Sequence, residues 1–393
     1  MNILQVTPYF APAWAYGGPV RACYEVCTEL ARRGHKVTVY TTDSIGAQGR
    51  VNQNKTASSL STLNIHYFKN LNNWLAFQHH LFITPGMLLE EKKRIRDFDI
   101  IHMVEYRTYQ NVITYRYAQK YRIPYILQGH GSIPRRMNKQ GLKNIFDAIW
   151  GYKLLRNACK VIALTPTEVE QCKPMGILDN KIEIVPNGVN LDEFNDLPIK
   201  GEFKNKHSLN TSDRMILYLG RIHAIKGIDM LIRAFAKLLE QNDGITLVIV
   251  GPDDGYLFTL KQLIDDLKIE KKIILAGPLY GKEKLEAYVD AEICILPSQS
   301  EGFPIGVLES CACGTPVIIT EGCGITNVID RNAGLVVPYD EDKMADAIAL
   351  LLSDQQMRTR MGERGKLLIR ERFNWKTIVD QLEDIYKGCL IVK

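Results

Sequence analysis

The chain has 393 residues, of which 46% are apolar and 24% charged, and its formal net charge is +5. This is an ordinary globular composition, and no apolar run reaches the roughly 20 residues that a membrane-spanning helix needs. The length exceeds that of one ordinary core and indicates two domains. Residues 1–7 are typical of a first strand and not of a signal peptide, so we expect a cytoplasmic location.

The charge is divided unevenly along the chain. Residues 1–190 hold 24 Lys and Arg against 13 Asp and Glu, whereas residues 191–393 hold 25 against 31. A basic first half attracts anions, so nucleic acid, an anionic membrane surface and a phosphorylated acceptor are all candidate partners. For any single basic residue, ordinary solvated charge is the simpler explanation.

The nine cysteines are scattered through the chain and do not form a metal-binding pattern. Cys23 and Cys27 stand four residues apart, and Cys311 and Cys313 flank one alanine, but neither pair has a second pair at zinc-site spacing. We interpret the cysteines as core thiols and expect no disulfide bonds, since the cytoplasm is reducing.

In chain order, short apolar runs alternate with amphipathic stretches. The first half contains six predicted strands, at 3–7, 36–41, 99–103, 124–128, 160–165 and 182–186. Predicted helices lie between them, at 19–33, 110–121 and 142–156. Strands rich in Ile and Val that alternate with helices indicate βαβ units and a parallel sheet.

The pattern then restarts in the second half of the chain. Its predicted strands are 215–220, 245–251, 272–277, 293–297, 316–320 and 334–338, with helices at 227–241 and 282–290. The polar stretch 187–212 is the predicted interdomain linker, and the domain boundary is placed at 190/191. The predicted fold is therefore α/β, with two facing Rossmann-like domains and a cleft between them. Ligands are expected at the carboxyl ends of the strands.

The strongest chemical motif runs from Ser300 to Glu309, directly after a predicted strand. It contains two carboxylates, Glu301 in a Gly/Pro loop and Glu309 in what we expect to be the first turn of the next helix. Backbone N–H groups at such a helix start favour a diphosphate. The alternative interpretation is that Glu309 only complements the helix dipole.

A second motif, Gly220-Arg-Ile-His-Ala-Ile-Lys-Gly227, also follows a predicted strand. It places two cations, Arg221 and Lys226, before a helix. Arg binds phosphate oxygens in a bidentate manner and Lys adds a mobile charge, so the pair could neutralise a diphosphate leaving group without a metal. A pair of solvated loop residues is the alternative.

A third motif, Tyr16-Gly-Gly-Pro-Val20, stands between the first predicted strand and the first predicted helix. Gly17 and Gly18 would let a bulky ligand approach the backbone closely. A plain turn is the alternative. The spacing differs from the glycine pattern of dinucleotide-binding proteins, which argues against a dehydrogenase.

Together these motifs resemble the family 4 retaining glycosyltransferases of GT-B fold, also described as glycosyl transferases group 1. The resemblance runs from Gly17-Gly18 through the segment Val-Pro-Asn-Gly-Val at 185–189 to the Glu301/Glu309 motif and the segment Phe-Asn-Trp at 373–375. It implies transfer of a sugar from a nucleotide-diphosphate sugar with retention of anomeric configuration, with UDP the most frequent nucleotide and GDP next. It also implies a first domain that binds the acceptor, a second domain, 191–374, that binds the donor, and a last helix, 375–393, on the first domain.

The resemblance implies a role for individual residues. Gly18 corresponds to the backbone contact with the donor diphosphate, and Arg221 and Lys226 correspond to its cationic clamp. Glu301 corresponds to the carboxylate that binds the donor sugar, and Glu309 to the one that binds ribose. The other donor-binding positions implied are Gly17, Asn187, Gly251, Gly277, Leu279, Gly302, Phe303, Pro304, Ile305, Gly306 and Val307.

The resemblance also assigns His130, in Gln-Gly-His-Gly at 128–131, to the reaction centre, where an imidazole donates to a donor-sugar hydroxyl or holds the acceptor. A structural strand-end histidine is the alternative. No Asp-x-Asp motif follows a strand, and Asp253-Asp254 is interpreted as a turn. This agrees with the generally metal-free character of the family, so the resemblance implies no metal and no cofactor, with Glu301, His130, Arg221 and Lys226 as the catalytic set.

Two basic regions are candidate acceptor sites. The segment 71–82, with Trp74 and Phe77, precedes a basic helix and is typical of a peripheral membrane contact or a site for a lipid-linked acceptor. A helix with its aromatic face in the core is the alternative. Arg135 and Arg136 could contact an acceptor phosphate, or they could be ordinary solvated residues. A glycan or lipid-linked saccharide is the expected acceptor.

Three other functions remain open. A GT-B nucleotide-sugar epimerase would share the fold but would need no acceptor. A non-catalytic protein that binds a nucleotide sugar would share the donor site. A nucleic-acid-binding protein would explain the basic first half, but the sequence contains no recognisable module for it, so no nucleic-acid partner is expected.

Overall fold

The computed structural model describes residues 1–52, 60–134, 140–240 and 242–391. The chain forms two compact units. Unit 1 comprises Met1–Asn187 and Trp375–Lys393, and unit 2 comprises Gly188–Asn374. Each unit contains one parallel sheet flanked by helices. The prediction of an α/β protein with two Rossmann-like domains is therefore confirmed.

Unit 1 contains a seven-stranded sheet in the order β3-β2-β1-β4-β5-β6-β7, with every neighbouring pair parallel. Its strands are β1 (Asn2–Val6), β2 (Lys36–Thr42), β3 (Leu63–Phe68), β4 (Ile100–Val104), β5 (Tyr125–Gln128), β6 (Lys160–Ala163) and β7 (Ile182–Ile184). The sequence prediction missed β3. Its polar residues alternate with apolar ones because it is an edge strand whose side chains are mostly half-exposed.

Helices cover both faces of this sheet, so its central strands are buried and mostly apolar, with Gln5, His102 and Gln128 as buried polar residues. One face packs on α1 and α16, and the other packs on helices between α3 and α7. The helices of unit 1 are α1 (Gly18–Arg32), α2 (Asn73–His79), α3 (Pro85–Arg94), α4 (Tyr109–Tyr121), α5 (Gln140–Phe146), α6 (Tyr152–Asn157), α7 (Pro166–Cys172) and α16 (Trp375–Ile391). A π-helical turn, Asp147–Gly151, joins α5 to α6.

Unit 2 contains a six-stranded parallel sheet in the order β10-β9-β8-β11-β12-β13. Its strands are β8 (Arg214–Leu219), β9 (Ile245–Val250), β10 (Ile273–Gly277), β11 (Ala291–Leu296), β12 (Val317–Thr320) and β13 (Gly334–Val337). Its helices are α8 (Glu202–Lys206), α9 (Ile228–Leu239), α10 (Leu257–Leu267), α11 (Gly281–Asp290), α12 (Ile305–Cys313), α13 (Thr326–Ile329), α14 (Glu341–Ser353) and α15 (Gln355–Arg372). All six predicted strands are present.

The predicted linker 187–212 is not a free connection. From Gly188 onward it belongs to unit 2, and it contains α8. The buried carboxylate of Asp290 accepts hydrogen bonds from the backbone N–H groups of Gly201 and Lys204, the latter at 2.8 Å. Part of this polar segment is therefore fixed by a buried carboxyl, together with the buried side chain of Phe203.

The expectation that all cysteines are free thiols is wrong for one pair. Cys159, just before β6, forms a disulfide with Cys389 in α16, although 230 residues separate them. The packing of α16 on the sheet of unit 1 brings their Cα atoms to 5.9 Å. Cys23, Cys27, Cys172, Cys294, Cys311, Cys313 and Cys323 are buried free thiols, as predicted.

In each sheet the strand order reverses beside its first strand. In unit 1, β1 lies between β2 and β4, and in unit 2, β8 lies between β9 and β11. At such a topological switch point the loops leave the sheet in opposite directions and open a crevice at the carboxyl ends. Among the described residues, no helix is long and apolar enough to cross a membrane.

Candidate functional site

The charged residues of the two strongest sequence motifs lie at the switch point of unit 2, where β8 neighbours β11. Arg221 follows β8 closely, and Glu301 follows β11. Lys226 lies in a 3-10 turn after β8 and forms an ion pair with the carboxylate of Glu301. Both side chains are largely shielded, at 13% and 21% exposure. Two motifs that lie 75 residues apart in sequence therefore form one cluster.

Gly227 explains why Lys226 reaches Glu301. It ends the 3-10 turn in the left-handed region, with φ of +64°. A Cβ at this position would collide with the carbonyl oxygen of Pro297, which follows β11. Because glycine has no Cβ, the turn packs directly on the end of β11. The N–H of Gln299 donates to the carbonyl of Ile225 at 2.9 Å and fixes the same contact.

Arg221 is more exposed than Lys226 and has a different partner. Its Nη1 lies 2.6 Å from Oδ2 of Asp254, in the loop after β9, and its side chain is 61% exposed. The neighbouring Asp253 accepts hydrogen bonds from the N–H groups of Gly255, Tyr256 and Leu257 at the start of α10. Asp253-Asp254 is thus a loop in which one carboxylate binds the start of a helix and the other neutralises a cation.

The loop from Glu301 to α12 is held in place by its backbone. The N–H of Glu301 donates to Gly322 at 3.0 Å, and the carbonyl of Glu301 accepts from Gly324 at 2.8 Å. Gly302 is exposed, whereas Phe303 and Pro304 are buried. Ile305 and Gly306 begin α12, so their N–H groups have no acceptor inside the helix.

Two details of this motif differ from expectation. The N–H of Val307 is not exposed to a ligand, because it donates to the carbonyl of Pro304 at 3.2 Å. Glu309 is the fifth residue of α12, so it lies in the second turn and not in the first. The sequence prediction started the helix too late, because it could not place the boundary within the Pro-Ile-Gly segment.

Glu309 is held by two side chains of α11. Lys284 lies 2.6 Å from its Oε1, and the hydroxyl of Tyr288 donates to its Oε2 at 3.3 Å. The ion pair is only 14% exposed on either side. Glu309 is therefore a positioned carboxylate and is not explained by the helix dipole alone.

Glycines shape the strand ends beside Arg221. Gly251 follows β9 with φ of +150°, and a Cβ there would collide with the carbonyl oxygen of Gly220. Gly277 ends β10 with φ of +73°, and its carbonyl accepts the N–H of Gly251 at 2.9 Å. Leu279, two residues later, is buried. The loops after β8, β9 and β10 are therefore stacked through their backbones.

In unit 1, Gly17 and Gly18 open α1. Gly17 is the N-cap residue with φ of +87°, and Gly18 is the first residue of the helix. Nothing lies within 4 Å of a Cβ placed on Gly17, so its conformation requires glycine while the space beside it is open. This start of α1, which follows the end of β1, can accept an anionic group.

His130 lies in a loop at the end of β5 that is fixed from two sides. Glu168 accepts the N–H of Gly131 at 2.8 Å, while Arg107 donates to the carbonyls of Ser132 and Ile133 and pairs with Asp147. His130 has φ of +45°, and desolvation by the surrounding protein lowers its pKa to about 4. The imidazole is therefore neutral at physiological pH.

The remaining predicted residues lie elsewhere. Asn187 is buried and lines a small cavity inside unit 1 together with Gln5, His102 and Trp375. Arg135 and Arg136 lie outside the described residues. The segment 71–82 fits both interpretations in part, because Phe82 is buried in an aromatic cluster while Trp74 is 54% exposed.

Sequence reasoning missed three further contacts at these strand ends. Lys284 and Asp254 neutralise residues that had been identified, and they lie in other sequence blocks. Glu105, directly after β4, accepts a hydrogen bond from the hydroxyl of Tyr9, which follows β1. The available signal was a lone carboxylate directly after the apolar run Ile-Ile-His-Met-Val at 100–104.

No group of three or more His, Cys, Asp or Glu residues that could hold a metal is present within the described ranges. Two family models match the chain. The model of glycosyltransferase family 4 matches residues 16–193, and the model of glycosyl transferases group 1 matches residues 199–368. The chain belongs to the GT-B glycosyltransferases.

Individual relatives agree with this assignment. This glycosyltransferase is 27% identical to an uncharacterized glycosyltransferase of Methanocaldococcus jannaschii, over 98% of both chains. It is 26% identical to a D-inositol 3-phosphate glycosyltransferase of Kineococcus radiotolerans, over 93% of this chain and 89% of the relative. In structure it is similar to HepE of Anabaena in complex with UDP, with a TM-score of 0.76, 17% identity, and coverage of 99% and 100%.

Proposed function

We propose that this glycosyltransferase moves a sugar from a UDP-sugar to a hydroxyl of a glycan or lipid-linked saccharide, with retention of anomeric configuration and without a metal. GDP is the second candidate nucleotide. Unit 2 would bind the donor and unit 1 the acceptor. The observation that carries the proposal is the cluster of Lys226, Glu301 and Arg221 at the switch point of unit 2.

The chemistry of this cluster fits a nucleotide-diphosphate sugar. Arg221 and Lys226 supply two cations, and the start of α12 supplies free N–H groups, so a diphosphate would be neutralised without a bound cation. Glu301 and Glu309 are acceptors for sugar and ribose hydroxyls, and each is held in place by a lysine. The UDP-glucose complex of Anabaena HepE, a protein of similar fold, supports UDP as the nucleotide.

The proposed reaction breaks the bond between the anomeric carbon and the diphosphate oxygen and forms a bond from that carbon to the acceptor oxygen. Lys226 and Arg221 stabilise the charge that develops on the leaving diphosphate, which is a contribution made chiefly in the transition state. The acceptor proton passes to the departing phosphate. Neutral His130 can donate a hydrogen bond to a sugar hydroxyl without adding charge.

The first experiment measures thermal stabilisation and donor turnover with UDP-glucose, UDP-N-acetylglucosamine and GDP-mannose. The wild type is compared with Lys226→Ala and with Lys237→Ala, a control that removes a lysine paired with Asp342 on another face of unit 2. A donor at 100 times its Kd adds roughly 2.7 kcal/mol of stability. We expect one donor to stabilise the wild type and Lys237→Ala but not Lys226→Ala.

Other results would lead to other functions. Conversion of the donor to UDP and the epimer of its sugar, at a rate that no acceptor raises, would identify an epimerase. Donor binding without any turnover would identify a binding protein. No donor binding, together with salt-sensitive binding of nucleic acid, would overturn the proposal. The anomeric configuration of the product, read by NMR, tests retention, and unchanged turnover in EDTA tests metal independence.

A peripheral membrane contact is part of this proposal and is supported by the stretch from α5 to α6. Leu142, Ile145, Ile149 and Tyr152 recur at intervals of three or four residues and are 70%, 57%, 48% and 37% exposed. Residues 135–156 include six Lys and Arg and one acidic residue, Asp147, which pairs with Arg107. Exposed apolar side chains in a basic segment fit an anionic bilayer surface.

Flotation with phosphatidylglycerol vesicles tests this contact. We expect the wild type to float with anionic vesicles and not with phosphatidylcholine vesicles, and Ile145→Ser to lose most of the binding. Ile199→Ser removes a more exposed apolar side chain from unit 2 and serves as the control. Equal flotation of the two variants would contradict the proposed contact.

A further inference from the structure

The switch point of unit 1 contains a carboxylate that the donor site does not use. Glu105 is the first residue after β4, and Tyr9 is the third residue after β1. The hydroxyl of Tyr9 donates to Oε1 of Glu105. These two side chains therefore lie at the reversal point of the sheet, where an open parallel sheet binds ligands.

Glu105 is held in a backbone conformation that disfavours a side chain. Its φ is +66°, and His130, after the neighbouring strand β5, has φ of +45°. Adjacent parallel strands thus end in two non-glycine residues in the left-handed region. Such conformations cost free energy and gather at functional sites, because the rest of the fold must hold them. Asn111 holds this turn by donating to the backbone carbonyl of Glu105 at 2.8 Å.

An aromatic row leads outward from Glu105. The Tyr9 ring stacks on Tyr16 at 5.2 Å, and Tyr16 contacts Phe77 edge-on at 5.8 Å. Tyr9 is buried, Tyr16 is half-buried, and Phe77 is 37% exposed. A polar anchor beside a partly exposed aromatic surface is typical of small-ligand sites and suits a pyranose, which has hydroxyls at its edge and C–H groups on its faces.

The charges next to Glu105 disfavour a phosphate. Arg107, two residues later, donates to both carboxylate oxygens of Asp147 and to two backbone carbonyls, so its charge is already neutralised. Glu168 adds a second carboxylate in the same loop cluster. The charges that the structure places around Glu105 are thus a guanidinium paired with a carboxylate and a second carboxylate, which together repel a phosphate.

We infer that Glu105 binds a hydroxyl of the acceptor and selects an uncharged saccharide at this subsite over a sugar phosphate. The inference rests on the proposed glycosyl transfer and assigns the class of acceptor to unit 1. A carboxyl can accept a hydrogen bond from a hydroxyl in either protonation state, whereas it repels a phosphate when ionised. Burial raises the pKa of Glu105 to about 7, with Glu168 nearby as a further cause and with Tyr9 and Ser132 opposing it.

The test measures UDP release from UDP-glucose with matched pairs of acceptors, namely glucose and glucose 6-phosphate, myo-inositol and its 3-phosphate, and maltose and its phosphate. The wild type is compared with Glu105→Gln, with Phe77→Ala and with Glu183→Gln, a control on the edge strand β7. UDP affinity, acceptor-free hydrolysis and Tm are measured for each variant.

We expect a neutral sugar to accelerate UDP release in the wild type more than its phosphate does. Glu105→Gln should lower kcat/KM for that sugar at least tenfold, and Phe77→Ala should raise its KM severalfold. UDP affinity should stay unchanged in both variants, because both residues lie in unit 1 and the donor site is proposed in unit 2. Glu183→Gln should match the wild type in every measurement.

Several results would overturn the inference. They are preference for the phosphorylated sugars, full acceptor activity of Glu105→Gln, or no acceleration by any neutral sugar while UDP-glucose is still hydrolysed. A parallel loss of UDP affinity or of Tm in Glu105→Gln would show a structural role instead. If the wild type neither binds nor hydrolyses any of the three donors of the first experiment, the proposed function itself fails, which is a distinguishable outcome.

Discussion

The two switch points of this chain differ in the residues that form the turns after their strands and in the charges of the side chains there. In unit 2 the sharp bends after the strands are made by Gly227, Gly251 and Gly277, and the side chains there form ion pairs. In unit 1 Gly17 and Gly131 also have positive φ, but two residues that are not glycines, Glu105 and His130, share this conformation after β4 and β5. At the switch point of unit 2, glycine turns therefore accompany ion pairs. At that of unit 1, two non-glycine residues have positive φ, and burial raises the pKa of Glu105 and lowers that of His130.

The difference indicates different ligands. Paired charges can be rearranged around an incoming diphosphate, because each cation exchanges one anionic partner for another. Side chains fixed by backbone strain hold one geometry, which suits the orientation of uncharged hydroxyls. The contrast therefore supports donor binding in unit 2 and acceptor binding in unit 1, and it can be tested at individual residues.

The largest expected effect is at Lys226. Lys226→Ala should lower kcat/KM about 100-fold, or about 2.7 kcal/mol, because it removes a cation from the leaving group and leaves Glu301 without its partner. Steady-state kinetics with the identified donor measure this. Lys237→Ala should keep kcat/KM within twofold of the wild type. If Lys226→Ala also kept it within twofold, the charges at the switch point of unit 2 would have no part in the reaction.

The glycine part of the comparison can be tested by stability. Gly251→Ala should lower the free energy of unfolding of unit 2 by about 2 kcal/mol, because its Cβ would collide with the carbonyl oxygen of Gly220. Gly255 also has positive φ, at +84°, but has open space around it, so Gly255→Ala should cost only about 1 kcal/mol. Denaturant titration measures both, and equal losses would contradict the steric explanation.

Unit 1 should also show a pH dependence that arises from an uncharged buried carboxyl. Glu91 in α3 is fully buried, and burial raises its pKa to about 8, with the Thr114 hydroxyl bonded to it at 2.5 Å. The unfolded chain loses this proton near pH 4.3, so stability falls as pH rises between roughly 4.3 and 8. Glu91→Gln should make that decline shallower, by about 1 kcal/mol per pH unit.

Urea titrations of wild type and Glu91→Gln at pH 5, 6, 7 and 8 measure this slope. Burial also raises the pKa of Glu105, to about 7, so its ionisation lowers the stability of both proteins over the same pH range. The contribution of Glu91 is therefore the difference between the slopes of the wild type and of Glu91→Gln. If the stability of the two proteins changed with pH in parallel, Glu91 would be ionised in the folded state. Unit 1 would then not contain the uncharged buried carboxyl that distinguishes it from unit 2.

The smallest expected effect is at Asp254. It pairs with Arg221 at an exposed position, where such pairs contribute roughly 0–1 kcal/mol. Because Asp254 competes with a diphosphate for Arg221, Asp254→Asn should tighten UDP binding two- to fivefold at low salt, as measured by calorimetry. The gain should vanish at high salt. Weaker binding in this variant would show that Asp254 positions Arg221 for the ligand.

Much of the framework could be predicted from the pattern of residues. Twelve of the observed strands were anticipated because central parallel strands are apolar on both faces and are separated by amphipathic helices. Edge strand β3 was not predicted, because its polar and apolar residues alternate, as is usual in a half-exposed strand. The segment 187–212 has no clear periodicity, and the contacts of Gly201 and Lys204 with the buried Asp290 in another sequence block could not be predicted from it.

The sequence by itself determined which residue types follow the strands, because Arg221, Glu301, Gly251 and His130 stand shortly after apolar runs. Only the tertiary structure decided which of them meet. The pairing of Lys226 with Glu301, of Lys284 with Glu309, of Tyr9 with Glu105 and of Cys159 with Cys389 depends on strand order and helix packing. Those are sums of many long-range contacts, and no local pattern encodes them.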